Sequence, residues 1–211
     1  MVDSSEQTHE QPQIYLITPA SIELGRFSDQ LARVLDTTAI ACVRMDLFSR
    51  DEDTLSRAAD AMREICHGRD VALVVTDHQI LAERLGLDGV HLSDATKPVR
   101  NARKALGPDA IVGSFCGASR HDGLTAGEAG ADYVSFGPIG VSGLGDGQQA
   151  DLELFQWWSE VIEVPIVAEG GLTSDLVRTF TPYTDFFGIG DEIWRHEDPN
   201  AALADLIAAM K

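Results

Sequence analysis

Two short glycine clusters are the clearest chemical signal in the sequence. Glu169-Gly170-Gly171-Leu172-Thr173 follows one apolar run, and Gly188-Ile189-Gly190-Asp191 lies at the end of the next. Glycine lets the backbone approach an anion closely, and free amides at the start of a helix point toward it. The pattern predicts a phosphate site; the alternative is that the glycines only form tight turns between strand and helix. The phosphate-binding candidates are Gly170, Gly171, Gly188 and Gly190.

Carboxylates beside these glycines oppose an anion. Glu169, Asp191 and Glu192 should each lower phosphate affinity unless they point away or a cation intervenes. Arg44 is the one cation among the residues at the predicted strand ends, and its planar fork could hold a phosphate or a carboxylate. Arg44 is therefore a candidate for both phosphate binding and catalysis.

Two aspartates could hold a metal ion. Asp77 follows the third apolar run and Asp94 follows the fourth, so the two side chains could meet across the mouth of a barrel. Mg²⁺ usually binds through one or two carboxylates together with waters and substrate phosphates. The pair predicts a magnesium site, although an acidic rim is also expected of any protein with this composition.

Three further features have weaker chemical meaning. Loop 137–149 (GPIGVSGLGDGQQ) is long, glycine-rich and without Lys or Arg, which predicts a mobile lid; its spacing does not fit a dinucleotide fingerprint. Cys116 with His121 could suggest a thiolate nucleophile, but a lone cysteine is usually inert packing. His91, at a strand end, is expected to hydrogen-bond inside the barrel rather than to titrate for catalysis.

These residues lie on a regular alternation of short β-type runs and longer stretches with helical periodicity. Continuous apolar strands are typical of a parallel sheet covered by helices. Eight such units favour a single (β/α)₈ TIM barrel with a parallel eight-stranded core over a doubly wound open sheet, which uses the same units. We assign residues 13–211 to the barrel and residues 1–12 to a disordered tail. The predicted strands are Ile14–Thr18, Ile40–Met45, Val71–Thr76, Gly89–Leu92, Ile111–Phe115, Tyr133–Gly137, Pro165–Ala168 and Asp185–Ile189.

Two helix starts can be located from capping signals. Ser49 with Glu52 predicts a capping box before an apolar stripe at the helical period. Asp198 can cap the last helix, with Pro199 at its first position.

Composition excludes several classes of function. The 211 residues carry 16 basic and 34 acidic side chains, a formal charge of −18. Such a surface repels nucleic acid and anionic lipid, so neither is expected as a partner. The sequence has no run of about 18 apolar residues to predict a membrane span. The three cysteines form no CxxC pair, and the N-terminus lacks the pattern of a signal peptide, which together indicate a cytoplasmic protein.

Several motifs occur in order along nearly the whole chain from residue 13 on. They are Tyr15-Leu16-Ile17-Thr18, Asp88-Gly89-Val90-His91-Leu92, Gly130-Ala131-Asp132-Tyr133 with Phe136-Gly137-Pro138, and Pro165-Ile166-Val167-Ala168 followed by Gly170-Gly171-Leu172-Thr173. Together they resemble the thiamine phosphate synthase/TenI superfamily, which implies a (β/α)₈ barrel. Ser119-Arg120-His121 and Ile193-Trp194 resemble the branch found in alphaproteobacteria.

The resemblance implies a reaction that joins hydroxymethylpyrimidine diphosphate to thiazole phosphate and releases diphosphate with Mg²⁺. At the matching positions, Arg44 would contact the diphosphate, Asp77 would bind Mg²⁺, and Gly171 would bind the thiazole phosphate. A second metal aspartate of the superfamily falls on Thr96, and Asp94 is its possible substitute. The expected partners are these phosphorylated small molecules and a second copy of the chain in a homodimer.

The sequence departs from the superfamily pattern around the diphosphate. The serine after the fifth strand falls on Phe115, with Ser114 beside it as the candidate. The Thr-x-Thr-Lys of the loop after the sixth strand falls on residues 142–145, so Ser142 remains a candidate but the lysine is absent, as is a second lysine at Asp46. Each charge-assisted contact is worth about 1.5–3 kcal/mol, so losing two could lower the rate by about 10²–10⁴. We therefore expect a degenerate active site with weak or absent activity.

Three alternatives to a synthase stay open. The first is a non-catalytic paralogue that binds or senses a phosphorylated ligand. The second is a TenI-like thiazole tautomerase, whose catalytic histidine falls on Pro138 here. The third is a phosphosugar isomerase or aldolase, for which Glu169 and His91 are the candidate base and electrophile.

Overall fold

Eight parallel strands close into a barrel in the computed structural model, which describes residues 11–49, 51–95 and 97–211. Each strand pairs with the next along the chain, and β8 returns to β1. The predicted (β/α)₈ barrel is confirmed, and all eight predicted strands are present with ends shifted by at most two residues. Thr96 and residues 1–10 of the predicted tail lie outside the described residues. The strands are β1 (Gln13–Ile17), β2 (Cys42–Met45), β3 (Ala72–Thr76), β4 (Gly89–Leu92), β5 (Ile111–Phe115), β6 (Tyr133–Phe136), β7 (Ile166–Glu169) and β8 (Phe186–Ile189).

Helices cover the outside of the barrel. One helix follows each strand, and a further helix ends the chain; a short 3₁₀ turn, Thr181–Tyr183, precedes β8. Across the described ranges, no helix is long and apolar enough to cross a membrane. The helices are α1 (Leu24–Thr37), α2 (Glu52–His67), α3 (Gln79–Leu85), α4 (Val99–Leu106), α5 (Arg120–Glu128), α6 (Leu152–Val161), α7 (Ser174–Phe180), α8 (Asp191–Trp194) and α9 (Pro199–Ala208).

Helix α2 is capped by Asp51, so the predicted Ser49–Glu52 capping box is wrong. The Asp51 carboxylate accepts a 3.0 Å hydrogen bond from the Thr54 amide, while the Ser49 hydroxyl accepts one from the Asp51 amide. A carboxylate is the stronger acceptor, and its charge is favourable at a helix N-terminus. The predicted start of α9 is confirmed: Asp198 accepts from the amides of the first turn, and Pro199 opens the helix.

Three aspartates fix the lower end of the barrel. Asp88, Asp132 and Asp185 each precede an even-numbered strand, and each accepts a hydrogen bond of 2.7–2.8 Å from an amide near the start of the odd-numbered strand before it. The three bonds repeat every two strands. They stabilise the end of the barrel opposite the one where catalytic residues of such folds lie.

The barrel interior consists of an apolar layer below a polar layer. The apolar layer, here called the interior cluster, contains Tyr15, Cys42, Val74, Tyr133 and Val167. Because successive side chains of a strand point to opposite faces, the residue two positions farther along faces the interior again, closer to the C-terminal mouth. On four of these strands the residue at that position is polar, and these residues, here called the polar layer, are Arg44, Thr76, Ser135 and Glu169. Arg44, Ser135 and Glu169 are buried.

Gly113 leaves the space in which the Tyr133 ring packs. A Cβ atom at Gly113 would lie 2.0 Å from Cζ of Tyr133. We expect Gly113→Ala to lower the free energy of unfolding by about 1–3 kcal/mol, because the ring must leave its position in the interior cluster. Urea unfolding measures this effect. Gly143→Ala is the control, since no atom lies within 4 Å of its added Cβ; equal stability losses in the two variants would contradict the expectation.

Candidate active site

Arg44 and Glu169 form a buried ion pair in the polar layer. The guanidinium donates to both carboxylate oxygens, at 2.8 and 3.3 Å, and the side chains of Arg44 and Glu169 are only 5% and 2% exposed. Burial lowers the pKa of Arg44, but the Glu169 carboxylate, Tyr15 and Asp46 together outweigh burial and raise this pKa above its ordinary value. The fork of Arg44 therefore holds a carboxylate of the same chain. Its predicted contact with a diphosphate stays a prediction.

A chain of hydrogen bonds connects this pair to the interior cluster. Arg44 Nη1 lies 2.9 Å from His91 Nε2, His91 Nδ1 lies 2.9 Å from the Tyr133 hydroxyl, and that hydroxyl lies 2.5 Å from the hydroxyl of Tyr15. Because arginine can only donate, Nε2 of His91 accepts and Nδ1 carries the proton. The prediction that His91 hydrogen-bonds inside the barrel is confirmed. Glu169 and His91, the pair considered for an isomerase or aldolase, are both bonded to Arg44.

The buried His91 should make stability depend on pH. Burial, followed by the charge of Arg44, lowers the pKa of His91 well below its ordinary value. As the pH falls, the imidazole of His91 is therefore protonated in the unfolded chain before it is protonated in the folded protein. The contribution of His91 to the free energy of unfolding should be fully present above about pH 6.5 and should fall below that pH by up to about 1.4 kcal/mol per pH unit. Urea unfolding at several pH values tests this. His91→Gln keeps an acceptor and a donor but does not titrate, so the same slope in both proteins would argue against the assignment.

Asp77 lies at the mouth beside a lysine. Its carboxylate accepts from the Ser93 amide at 3.0 Å, from the Ser93 hydroxyl at 2.6 Å, and from the Lys97 ammonium. Partial burial raises the pKa of Asp77, but the hydrogen bonds from Lys97 and Ser93 outweigh it, so the pKa lies below its ordinary value. Asp77 has a left-handed backbone, with φ of 62°, a conformation that aspartate and asparagine tolerate better than most residues. Its amide donates to the carbonyl of His91 at 3.0 Å.

Asp94 lines a polar cleft next to Asp77. The cleft has a volume of about 480 Å³ and lies between the loops after β4 and β5 and the loop 137–149. Ser93 lies between the two aspartates: it directly precedes Asp94 in the chain, and its hydroxyl donates a hydrogen bond to the Asp77 carboxylate. Within the described ranges, no group of three or more His, Cys, Asp or Glu side chains could hold a metal ion. The assignment of Asp77 and Asp94 to Mg²⁺ stays a prediction.

The amides of the two glycine loops converge on one anion, the carboxylate of Glu192. One oxygen accepts from the amides of Gly171 and Leu172 at 3.0 and 3.2 Å, and the other accepts from the Gly190 amide at 2.9 Å. Gly170 and Gly171 have left-handed φ angles of 83° and 73°, which favour glycine. The structure thus brings Gly171 and Gly190 together, as expected of a shared anion site.

Three other predicted phosphate ligands lie elsewhere. Gly188 is within β8, where a Cβ would lie 2.8 Å from Cβ of Glu169, so it makes room for the ion pair. Ser114 is fully buried and faces the helices, since its neighbour Gly113 faces the interior cluster. Ser142 lies in the loop after β6, where its hydroxyl accepts from the Leu144 amide at 3.2 Å. These three roles stay predictions.

The loop 137–149 is anchored at its base. The Ile139 amide donates to the carbonyls of Glu169 and Gly170, and the Gly140 amide donates to the carbonyl of Gly170, all at 3.0 Å. A Cβ at Gly140 would lie 2.1 Å from the carbonyl oxygen of Gly171. Farther along, Val141 is 95% exposed. The loop is therefore attached to the anion site at one end, and its closure as a lid stays a prediction.

The thiol of Cys116 is not suited to nucleophilic chemistry. The residue is buried, and burial raises its pKa to about 12. Its sulfur lies 3.5 Å from the Ser114 carbonyl. A nucleophilic cysteine needs a lowered pKa, so Cys116 is packing, as the sequence analysis favoured over a thiolate nucleophile.

Two residues of the mouth were not assigned a role from sequence. Lys97 lies three residues after Asp94 in the same loop, and a search of the loops beyond the strand ends could have found it. Glu192 was identified only as a carboxylate that opposes phosphate binding. The direction of its side chain, toward the amides, is set by the single turn of α8 and could not be read from the sequence.

Comparisons with known proteins identify the family. The family described as thiamine monophosphate synthase matches residues 14–181. The thiamine-phosphate synthase of Rhodospirillum centenum is 39% identical over 201 residues, which cover 94% of this chain and 97% of that protein. The thiamine-phosphate synthase of Erythrobacter litoralis is also 39% identical, covering 93% and 96%. A solved thiamine phosphate pyrophosphorylase from Pyrococcus furiosus has the same fold, with a TM-score of 0.81, 22% identity and coverage of 94% and 95%. The chain belongs to the thiamine monophosphate synthase family.

Proposed function

We propose that this protein is a thiamine-phosphate synthase-type transferase, which joins hydroxymethylpyrimidine diphosphate to thiazole phosphate and releases diphosphate. The observation that carries the proposal is the convergence of the Gly171, Leu172 and Gly190 amides on a single anion. Thiazole phosphate would place its phosphate at these amides. The proposal is supported by full-length relatives named thiamine-phosphate synthase.

The leaving diphosphate needs positive charge, and Lys97 is the residue best placed to supply it. In the proposed reaction the bond between the pyrimidine methylene and the diphosphate breaks, and the thiazole nitrogen forms the new bond to that methylene. Charge then develops on the diphosphate, where fixed cations stabilise it most. Both cations are paired with a carboxylate, Lys97 with Asp77 and Arg44 with Glu169, but the Lys97 side chain is 41% exposed at the mouth whereas that of Arg44 is only 5% exposed. Lys97 would thus replace one lysine that the family pattern has and this sequence lacks.

The residues at the mouth fit a magnesium ion that arrives with the substrate. Mg²⁺ commonly uses one or two carboxylates plus substrate phosphates, and Asp77 offers a carboxylate with the Ser93 hydroxyl 2.6 Å from it. Asp77 would hold the ion, with Asp94 as the second candidate. When bound, Mg²⁺ would neutralise charge on the leaving diphosphate.

Three buried polar atoms also support a ligand at the mouth. Arg44 Nε, Thr76 Oγ1 and Ser135 Oγ have no hydrogen-bond partner within the described part of the chain. All three belong to the polar layer. Buried polar atoms are nearly always paired in folded proteins, so unpaired atoms in one layer support a polar ligand above it.

A non-catalytic phosphate-binding protein is the second candidate. The observation that favours it is the Arg44–Glu169 pair, which neutralises the one arginine of the polar layer. Loop 137–149 has no Lys or Arg to compensate. A protein of this kind would bind thiazole phosphate but form no product.

We propose that the protein acts in the cytoplasm. The three cysteines are buried and free, which supports a cytoplasmic location. We also propose that the protein acts as a homodimer.

Replacing Lys97 tests the proposed function. We expect Lys97→Met to lower the turnover of thiamine phosphate formation by about 10–150-fold, because one charge-assisted contact to the diphosphate is worth about 1.5–3 kcal/mol. The measurement is the initial rate with both substrates and Mg²⁺. Lys104→Met is the matched control, since Lys104 is an exposed lysine of α4. Equal rates in wild type and Lys97→Met would remove Lys97 from the proposed mechanism.

A further inference from the structure

The carboxylate of Glu192 occupies the place that a bound phosphate would need. It accepts three amide hydrogen bonds, from Gly171, Leu172 and Gly190, at 2.9–3.2 Å. These donors come from the loops after β7 and β8, so a single side chain satisfies both loops. A bound phosphate group would accept hydrogen bonds from the same amides.

A phosphate and the Glu192 carboxylate cannot share these donors. Each amide has one proton to donate, and two anions at hydrogen-bond distance from the same amides repel each other strongly where water is partly excluded. Arg195, three residues after Glu192 in the chain, does not relieve this repulsion, because its guanidinium is paired with Asp191 at 2.6 Å. Binding of a phosphate therefore requires that the carboxylate leaves.

The position of Glu192 allows it to leave. It is the second residue of α8, a helix of one turn, and it is only partly buried. Rotation of its side chain would carry the carboxylate into solvent without moving either loop. Other contacts meanwhile hold the two loop backbones: the amides of Ile139 and Gly140 donate to the Gly170 carbonyl, and the amides of Ile193 and Trp194 donate to the Gly190 carbonyl.

We infer that Glu192 is an internal competitor of the ligand phosphate and sets how strongly this site binds phosphorylated ligands. The inference deepens the proposed function and rests on it for the identity of the ligand, thiazole phosphate. In the free protein the carboxylate keeps the amides of both loops aligned. The ligand phosphate then replaces it, so the affinity for the ligand reflects the difference in free energy between the amides' interaction with the phosphate and their interaction with the carboxylate.

Two variants of Glu192 test the inference by calorimetry. Inorganic phosphate, thiazole phosphate and the unphosphorylated thiazole alcohol are titrated into wild type, Glu192→Gln and Glu192→Ala. We expect both variants to bind the two phosphorylated probes at least about tenfold more tightly, the change that loss of one charged competitor produces, while the thiazole alcohol gains nothing. Asp191→Asn is the matched control: it removes the same charge one residue away, where the carboxylate contacts Arg195 and none of the three amides.

The outcomes separate this inference from the proposed function. Tighter binding of inorganic phosphate in both Glu192 variants supports the inference. If thiazole phosphate binds no better than inorganic phosphate, that result counts only against the proposed ligand. Unchanged or weaker binding of both phosphates in the folded Glu192→Gln protein overturns the inference, because Glu192 would then be only a structural link between the loops. An increase of the same size in Asp191→Asn also overturns it, since the effect would be one of general charge. Amide NMR signals of Gly171, Leu172 and Gly190 verify that the probe binds at this site.

Discussion

Replacing Arg44 with methionine should lower the free energy of unfolding by about 3–5 kcal/mol, because it leaves the Glu169 carboxylate buried without its partner. Glu169 is 1% exposed and takes two hydrogen bonds from the Arg44 guanidinium. The change also removes the donor to His91 Nε2. Methionine fills much of the same volume, so the loss reports the missing charge more than a cavity. Urea unfolding at neutral pH measures it.

The double variant Arg44→Met/Glu169→Met separates charge from packing. A buried ion pair replaced by apolar residues of similar volume is often neutral or stabilising, so the double variant should recover most of the stability that the single variant loses. Arg178→Met is the surface control: its pair with Asp175 is largely exposed, and such pairs contribute about 0–1 kcal/mol. Additive losses in the double variant would show that the ion pair is not coupled as the structure indicates.

Replacing Asp77 with asparagine should lower the turnover of the proposed reaction by about 10²–10⁴, since a metal ion stabilises developing charge by several kcal/mol and each 1.4 kcal/mol is a tenfold change in rate. Asparagine keeps the shape and tolerates the left-handed backbone of this position. The variant therefore changes the charge without straining the loop. The measurement is the rate of thiamine phosphate formation as a function of Mg²⁺ concentration.

Asp70→Asn is the control for Asp77→Asn. Asp70 also has a left-handed backbone, with φ of 54°, and lies in the turn that precedes β3, at the other end of that strand. The same substitution there should leave turnover and its Mg²⁺ dependence unchanged. If Asp77→Asn retains the wild-type rate and Mg²⁺ dependence, Asp77 is not the metal ligand. Its carboxylate would then serve only to orient Lys97 and Ser93.

The fold could be predicted because its signals are local and repeated. Each strand is a continuous apolar run, and eight of them alternate with helical stretches, so an error of two residues at an end, as at Ile40, leaves the topology unchanged. The capping box at Ser49 failed for a local reason. Asp51 competes for the same helix start, and a carboxylate accepts the amide hydrogen bond more strongly than a hydroxyl.

The candidate site could be predicted only in part. The sequence indicates which residues reach the mouth, and Gly171 and Gly190 do share one anion. It does not indicate which charges pair there. Arg44 meets Glu169 across the barrel, from β2 to β7, and this pairing depends on the closed geometry of all eight strands. The contact of Lys97 with Asp77 depends on the path of a loop, which hydrophobic periodicity does not determine.

The most direct test of the proposed synthase activity is the turnover of the purified wild-type protein with hydroxymethylpyrimidine diphosphate, thiazole phosphate and Mg²⁺. The proposal predicts that thiamine phosphate and diphosphate form in equal amounts, with a turnover above about 10⁻² s⁻¹. We expect this turnover to lie below the usual enzyme range, because one of the two lost lysines is not replaced. The rate should disappear when a chelator removes the metal. Absence of both products, in a protein that still binds thiazole phosphate, would contradict the synthase and favour the non-catalytic phosphate-binding protein.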